Sequence, residues 1–143
     1  MRTLLCIAVV FGVLFGGLAV LAAPAAAGDA SSAGKVYELR VYKASPGKLE
    51  ALNARFRDHT CKLFKKHGIE VVGFWTPTEG DDAKDTLIYI VAFPSVEAQK
   101  KAWQAFRDDP AWKKAKADSE REGSLTREVT GKNLKATDYS PLR

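Results

Sequence analysis

One segment, Thr86–Phe93 (TLIYIVAF), limits what this chain can fold into more than any other, because it carries no charge and is apolar on both faces. Side chains alternate between the two faces of a β-strand. One face then holds Leu87, Tyr89, Val91 and Phe93, and the other holds Ile88, Ile90 and Ala92. A strand of this composition is covered on both sides in a folded protein, so the chain must supply or recruit two covering layers.

Three more strands and two helical regions are predicted around this segment. Apolar residues alternate with period 2 in the strands and recur at helical spacing in the helices, and Ser-Pro, Asp-Pro and Gly mark the ends. In chain order, the first half of the domain is predicted to contain a strand Lys35–Lys43, a helix from Ser45 to about His67 that stops at Gly68, and a strand Ile69–Thr78. A polar turn Glu79–Asp85 then leads into the strand Thr86–Phe93. The second helical region starts at Ser95 and restarts at Asp109-Pro110 to reach about Arg121, and it is followed by a strand Ser124–Val129 and a polar tail that either wraps the surface or continues the strand to Leu134.

The order β-α-β-β-α-β is typical of the ferredoxin-like α+β fold, a four-stranded antiparallel sheet with both helical regions on one face. The other face is left without helices, and soluble monomers rarely expose a large apolar patch. Either the polar tail or a second copy of the chain covers it. Cys61 is the one cysteine that remains once the N-terminal segment is removed, so no internal disulfide supports the small core. We therefore expect a homodimer, joined sheet face to sheet face.

The N-terminal 27 residues have the pattern of a secretory signal peptide. Arg2 gives a positive start, an uncharged apolar run extends from Leu4 to Ala23, and Ala25-Ala26-Ala27 supplies the small residues that signal peptidase needs. Residues 28–34 then read as a flexible linker, and residues 35–143 as one domain. The pattern predicts a secreted or periplasmic protein. If the apolar run is retained instead, it is long enough to act as a membrane anchor.

The charge pattern argues against a nucleic-acid partner. The net charge of the chain is +5, and the basic residues form no stripe with interleaved aromatic side chains. The lysines of Lys113–Lys116 are followed closely by Asp118, Glu120 and Glu122, which is typical of a solvated helix face. We expect no nucleic-acid binding.

The chain contains several short motifs, each of which is weak evidence for a family by itself, but their order and spacing together are fairly specific. The segments are Tyr37-Glu38-Leu39-Arg40 with Tyr42, Pro46-Gly47-Lys48, Lys66-His67-Gly68, Gly73-Phe74-Trp75-Thr76, Asp109-Pro110-Ala111-Trp112 and Tyr139-Ser140-Pro141. With them the chain resembles the NIPSNAP family, a branch of the dimeric α+β barrel superfamily, from about Val36 to Pro141. The resemblance implies a ferredoxin-like fold that pairs as a dimer into an α+β barrel.

The first strand carries the strongest candidate for ligand binding. Glu38 and Arg40 lie two residues apart on one face, with Tyr42 beyond them. If that face is buried, the charges must be paired with each other or with a ligand. Arg40 is then suited either to holding a carboxylate or polarising a carbonyl, or to a structural ion pair with Glu38.

Three further residues complete the candidate site. His59 borders the apolar stripe of the first helix, where it serves either as a general base or as a helix–sheet contact. Trp75 is either a core residue or part of a pocket wall, and we include Tyr89 with it as a candidate ligand contact. His59 and His67 are eight residues apart, which is not the spacing of a helical zinc pair. We predict no metal site and no cofactor.

Two functional hypotheses follow, and the sequence alone does not decide whether the protein is an enzyme. The preferred one is a homodimeric binding module for a small apolar or aromatic molecule, or for a protein. The alternative is a cofactor-independent monooxygenase or isomerase, as in superfamily relatives. The alternative gains support if His59, Arg40 and Trp75 converge on one pocket, and loses it if His59 points to solvent.

Overall fold

The computed structural model describes residues 34–142, so the predicted signal peptide and most of the predicted linker lie outside the described residues. The elements are β1 Val36–Ala44, α1 Leu49–Arg55, a π-helical segment Phe56–Thr60, α2 Cys61–Lys66, β2 Glu70–Trp75, a 3-10 turn Asp81–Lys84, β3 Thr86–Phe93, α3 Val96–Asp108, α4 Pro110–Ser119 and β4 Thr126–Lys135. Between residues 34 and 142, no helix has both the length and the apolar character needed to cross a bilayer.

The four strands form one antiparallel sheet in the order β2-β3-β1-β4. This is the ferredoxin-like arrangement that the order of elements predicts. The register sets Arg40 of β1 between Tyr89 of β3 and Gly131 of β4. Because cross-strand partners point to the same face, the side of the sheet that carries Glu38, Arg40 and Tyr42 is also the side that carries Tyr89.

The first helix begins later than predicted and contains a π-helical segment. The predicted start at Ser45 is wrong, because the chain first makes a turn in which the Lys48 N–H donates to the Ser45 carbonyl at 2.9 Å. Gly47 in this turn has φ of +72°, a backbone conformation that glycine adopts without a steric penalty. Gly68, at φ +70°, ends the helical region as predicted.

The two predicted helix starts in the second helical region, at Ser95 and at Asp109-Pro110, are confirmed. Ser95 Oγ accepts from the Ala98 N–H at 3.1 Å, and Asp109 Oδ1 accepts from the Ala111 N–H at 2.8 Å. Within α3, Val96 is exposed and Gln99 is buried, which brings a polar side chain against the sheet.

The core lies between the helices and the face of the sheet that we call the helix side. Aromatic rings fill much of it: Phe56 contacts Tyr42, Phe64, Phe74 and Tyr89 with centroid distances of 5.3 to 6.2 Å. Burial of each such side chain contributes about 1.5–3 kcal/mol to folding. The remaining core residues include Leu52, Leu63, Val91, Phe93, Phe106 and Leu125.

The opposite face of the sheet, which we call the open face, has no helix against it. Tyr37 and Ala92 are buried at one end, whereas Trp75 is 49% exposed and Leu134 38% exposed. The central apolar residues of this face are partly buried: Leu39, Val41, Ile88 and Ile90. Trp75 is therefore not a core residue.

A register shift in β2 separates residues that simple alternation places together. Val71 lies opposite Val91, but Gly73 lies opposite Ile90. The extra residue between them moves Gly73 and Trp75 to the open face and leaves Val71 on the helix side. The strand also ends at Trp75, three residues before the predicted Thr78.

Candidate functional site

A buried carboxylate, that of Glu38, forms the centre of the polar cluster on the helix side. One oxygen accepts from Arg40 Nη1 at 2.8 Å. The other accepts from Gln99 Nε2 and from Trp103 Nε1, each at 2.6 Å. Three donors thus compensate for the removal of this charge from water. Asn133 of β4 extends the network, since its Oδ1 accepts from Gln99 Nε2 at 2.8 Å.

Arg40 is held in place by aromatic rings as well as by hydrogen bonds. Its guanidinium lies 5.1 Å from the centroid of the Trp103 ring and 5.5 Å from that of Tyr42, distances at which cation–π attraction operates. Nη2 donates to Tyr42 Oη at 3.2 Å. Burial lowers the pKa of Arg40, but Tyr42, Tyr89 and Glu38 outweigh it and raise the pKa overall. Arg40 is therefore a fixed cation.

Two tyrosines connect this cluster to the core. Tyr89 is fully buried, and its Oη donates to Tyr42 Oη at 3.1 Å. Burial first, and then the neighbouring Tyr42, raise the pKa of Tyr89 well above its usual value, while Arg40 opposes them. Tyr89 is therefore a neutral hydrogen-bond donor at physiological pH.

The helix-side surface of β4, formed by Val129, Gly131 and Asn133, borders the cluster, and we call it the β4 shelf. All three residues are exposed. Gly131 allows Arg40 to lie against the strand: a Cβ atom there would sit 3.0 Å from Arg40 Nη1 and 3.0 Å from Glu38 Oε1. The shelf is thus the solvent-facing border of the Arg40 site.

The structure brings together four of the six predicted site residues and leaves two outside. Glu38, Arg40, Tyr42 and Tyr89 form one connected group. His59 is exposed in the π-helical segment, and Trp75 lies on the open face. The convergence of His59, Arg40 and Trp75 that the enzyme hypothesis requires does not occur. Roles in ligand binding for these six residues remain predictions.

Four residues of the cluster were absent from the sequence-based set: Gln99, Trp103, Gly131 and Asn133. Only α3 offered a signal, since Gln99 falls one turn from Trp103 on the buried face of that helix. A polar residue at a buried helix position indicates a buried polar partner. No local pattern identifies Gly131 or Asn133, because their roles depend on the pairing of β4 with β1.

A second polar cluster ties helix α2 to the junction between α3 and α4. Asp109 Oδ2 contacts Lys66 Nζ and His67 Nε2, each at 2.7 Å, and Oδ1 accepts from the Ala111 N–H. Lys66, His67 and this N–H together hold the pKa of Asp109 well below its usual range. The side chain of His67, at the end of α2, thus reaches the N-cap of α4, so this cluster is a structural connection.

The C-terminal tail forms a groove over one end of the open face. The groove has a volume of about 260 Å³ and is lined from the sheet by Tyr37, Ile90 and Leu134 and from the tail by residues that include Ala136 and Leu142. The tail is anchored in a turn in which the Ser140 N–H donates to the Thr137 carbonyl at 3.0 Å. It explains the burial of Tyr37 but leaves Trp75 uncovered.

No group of three or more metal-ligating side chains comes together within residues 34–142.

Comparisons with known proteins agree with this architecture. A profile of the NIPSNAP family matches residues 37–141. The chain is similar to a NIPSNAP family protein of unknown function from Agrobacterium tumefaciens, with 25% identity, a TM-score of 0.66, and coverage of 76% of this chain and 94% of that chain.

Two other solved structures show the same fold at lower identity. A NIPSNAP-like domain protein from Burkholderia xenovorans is 14% identical, with a TM-score of 0.66 and coverage of 75% of this chain and 89% of that chain. SnoaB, a cofactor-independent oxygenase from Streptomyces nogalater, is 15% identical, with a TM-score of 0.50 and coverage of 75% and 97% respectively. Among curated protein sequences there is no match.

Proposed function

This chain belongs to the NIPSNAP family, and from that premise we propose that it is an exported, homodimeric binding module in which a second copy covers the open face of the sheet. The observation that carries the proposal is the open face itself. Its centre is apolar, and Trp75 and Leu134 are substantially exposed on it. Exposed aromatic side chains on an apolar surface are typical anchors of protein interfaces.

The C-terminal tail is the other candidate cover, and its extent favours the second copy. It reaches Tyr37, Ile90 and Leu134 at one end of the sheet. Trp75 pairs with Ile88 on the same face but remains about half exposed. Two copies related by a twofold axis would bury this patch reciprocally, which is the common geometry of homodimers.

The binding module is preferred over the enzyme because the site lacks a residue placed to transfer protons. His59, the candidate base, is exposed. Glu38 already accepts from three side chains. The similarity to SnoaB is a similarity of fold, and one scaffold hosts many activities. A small apolar or aromatic ligand is the partner that we propose beside the second copy.

Export is proposed from the sequence pattern of residues 1–27, which lie outside the described residues.

Two substitutions on one strand test the dimer. Leu134→Glu places a carboxylate on the open face, and Val129→Glu places the same group on the helix side of β4 at similar exposure, 38% against 44%. We expect Leu134→Glu to weaken dimerisation about 100-fold or more, since each dimer would bury two unpaired charges. Val129→Glu should dimerise as the wild type does. Sedimentation equilibrium measures both dissociation constants.

The result for the wild-type protein is equally decisive. A wild-type chain that sediments as a monomer at about 100 μM would refute the homodimer proposal, because stable biological dimers dissociate only at far lower concentrations. Equal dissociation constants for the two variants would place the interface somewhere other than the open face.

A further inference from the structure

Arg40 uses only part of its capacity as a hydrogen-bond donor. A guanidinium has five N–H groups. Within residues 34–142, one of them donates to Glu38 and one to Tyr42, and the buried Nε has no acceptor. The side chain is nevertheless 22% exposed, so Arg40 is not closed off from a ligand.

The contact between Arg40 and Glu38 is single because the rest of the carboxylate is engaged elsewhere. Arginine and a carboxylate commonly meet through two parallel hydrogen bonds. Here the second oxygen of Glu38 is taken by Gln99 and Trp103. The network therefore fixes Arg40 in position but leaves some of its N–H donors without an acceptor. In a purely structural ion pair, two parallel hydrogen bonds to the carboxylate would use more of these donors.

The surroundings of Arg40 combine a rigid cation with an apolar approach. The ring of Trp103 packs on the guanidinium, and Gly131 keeps the strand surface beneath it free of any side chain. Val129 lies two residues along the β4 shelf on the same face and is 44% exposed. A ligand that reaches Arg40 from the Val129 end of this shelf meets an apolar side chain before the cation.

We propose that Arg40 and the β4 shelf bind the carboxylate of a small planar acid, with its apolar body over Val129. This inference rests on the proposed binding function and identifies the site and the ligand class. A carboxylate matches the fork of donors on a guanidinium, and a flat apolar body suits a shelf without a deep cavity. The site lies within one protomer and is separate from the open face, which lies on the opposite side of the sheet.

Calorimetric titration with 2-naphthoate, and with the neutral 2-naphthamide as its matched control, tests the ligand class. We expect 2-naphthoate to bind with a dissociation constant below about 1 mM and the amide to bind at least about tenfold more weakly. Binding of both compounds with equal affinity, or of neither at about 10 mM, would overturn the proposal.

Substitutions test the position of the site. Arg40→Gln should weaken binding of 2-naphthoate by about 10- to 100-fold. Val129→Glu keeps Arg40 and Glu38 but places a competing carboxylate on the shelf, and should weaken binding about tenfold. Circular dichroism confirms folding, and Val129→Glu decides the matter if Arg40→Gln does not fold.

The two proposals fail in different ways. Leu134→Glu should weaken dimerisation about 100-fold or more and leave the affinity for 2-naphthoate unchanged. Val129→Glu should weaken binding of 2-naphthoate about tenfold and leave dimerisation unchanged. A folded Arg40→Gln or Val129→Glu variant that binds 2-naphthoate as tightly as the wild type would refute the Arg40 site alone. Loss of 2-naphthoate binding in Leu134→Glu would also refute it, because the site would then need the partner protomer.

Discussion

Asp109 connects three parts of the chain through one carboxylate, which caps α4 and contacts Lys66 and His67 at the end of α2. These partners keep its pKa in the folded protein below the ordinary value of 3.8. A depressed carboxyl pKa contributes stability that is fully present above 3.8 and is lost as the pH falls toward the folded pKa. The folded state should therefore lose stability with acidification partly through this single group.

The variant Asp109→Asn isolates that contribution, since asparagine is also a good N-cap but carries no charge. We expect it to be less stable than the wild type at pH 7, with a shallower fall in the free energy of unfolding between about pH 5 and pH 2. Urea denaturation at a series of pH values measures this slope. Asp58→Asn, which removes an exposed carboxylate of the π-helical segment, is the control. If the free energy of unfolding fell equally steeply with decreasing pH in the wild type and in Asp109→Asn, the contribution assigned to Asp109 would be contradicted.

The sequence predicts some residues of the Arg40 cluster and not others, and the difference between the two groups has a physical cause. Alternation along one strand places Glu38, Arg40 and Tyr42 on a common face, because that periodicity is local. Gln99 and Asn133 join them only through helix packing and strand register, which depend on contacts far apart in sequence. For His59 the cause is local: 3.6-residue periodicity places it beside the apolar stripe, whereas the π-helical segment changes the phase of the helix and the side chain is exposed.

At the scale of elements, β2 shows how a strand arranges an aromatic anchor. The ring of Trp75 lies over Gly73, where an added Cβ atom would come within 2.7 Å of Cη2 and 2.8 Å of Cζ2. The lack of a side chain at Gly73 therefore allows the Trp75 ring to lie against the sheet, because any side chain there would lift the ring away from it. The register shift just before Gly73 directs both residues to the open face.

Gly73→Ala should weaken dimerisation by about tenfold while leaving the fold intact, since the ring it displaces is half exposed. Sedimentation measures the dissociation constant, and tryptophan fluorescence reports the displacement. The control is the same substitution in a Trp75→Ala background, where it should have no additional effect, as expected for residues that act as a unit. Additive losses in the double variant would show that Gly73 acts independently of Trp75.

The elements themselves were largely predictable, because their signals are strong and local. Ser95 and Asp109 cap where their side chains indicate, and Thr86–Phe93 forms the predicted strand to the residue. The start of the first helix was not predictable in this way. Ser45-Pro46-Gly47 satisfies the rules for a helix start and also those for a turn, and the positive φ of Gly47 selects the turn. The π-helical segment inside the first helical region has no recognised local signal in the sequence.

At the scale of the whole molecule, the fold separates two surfaces with different chemistry on opposite sides of one thin sheet. The helix side holds a satisfied carboxylate and a partly satisfied arginine. The open face holds apolar residues, with Trp75 and Leu134 exposed. Alternation within β4 alone assigns Leu134 to one surface and Val129 to the other. The proposed dimerisation and the proposed ligand binding should therefore respond to different substitutions in this small domain.

The mature chain is expected to begin at Gly28, because Ala25 and Ala27 occupy the two positions at which signal peptidase requires small residues. Expression of the full chain in a bacterial host, followed by N-terminal sequencing of the periplasmic fraction, tests this directly. Ala27→Arg should block cleavage and leave the protein attached to the membrane by its apolar run. Ala26→Leu changes the tolerant position between them and should be processed normally. A wild-type product that retains Met1 and stays in the membrane would replace the exported protein with an anchored one, and the dimer would then form at a membrane surface.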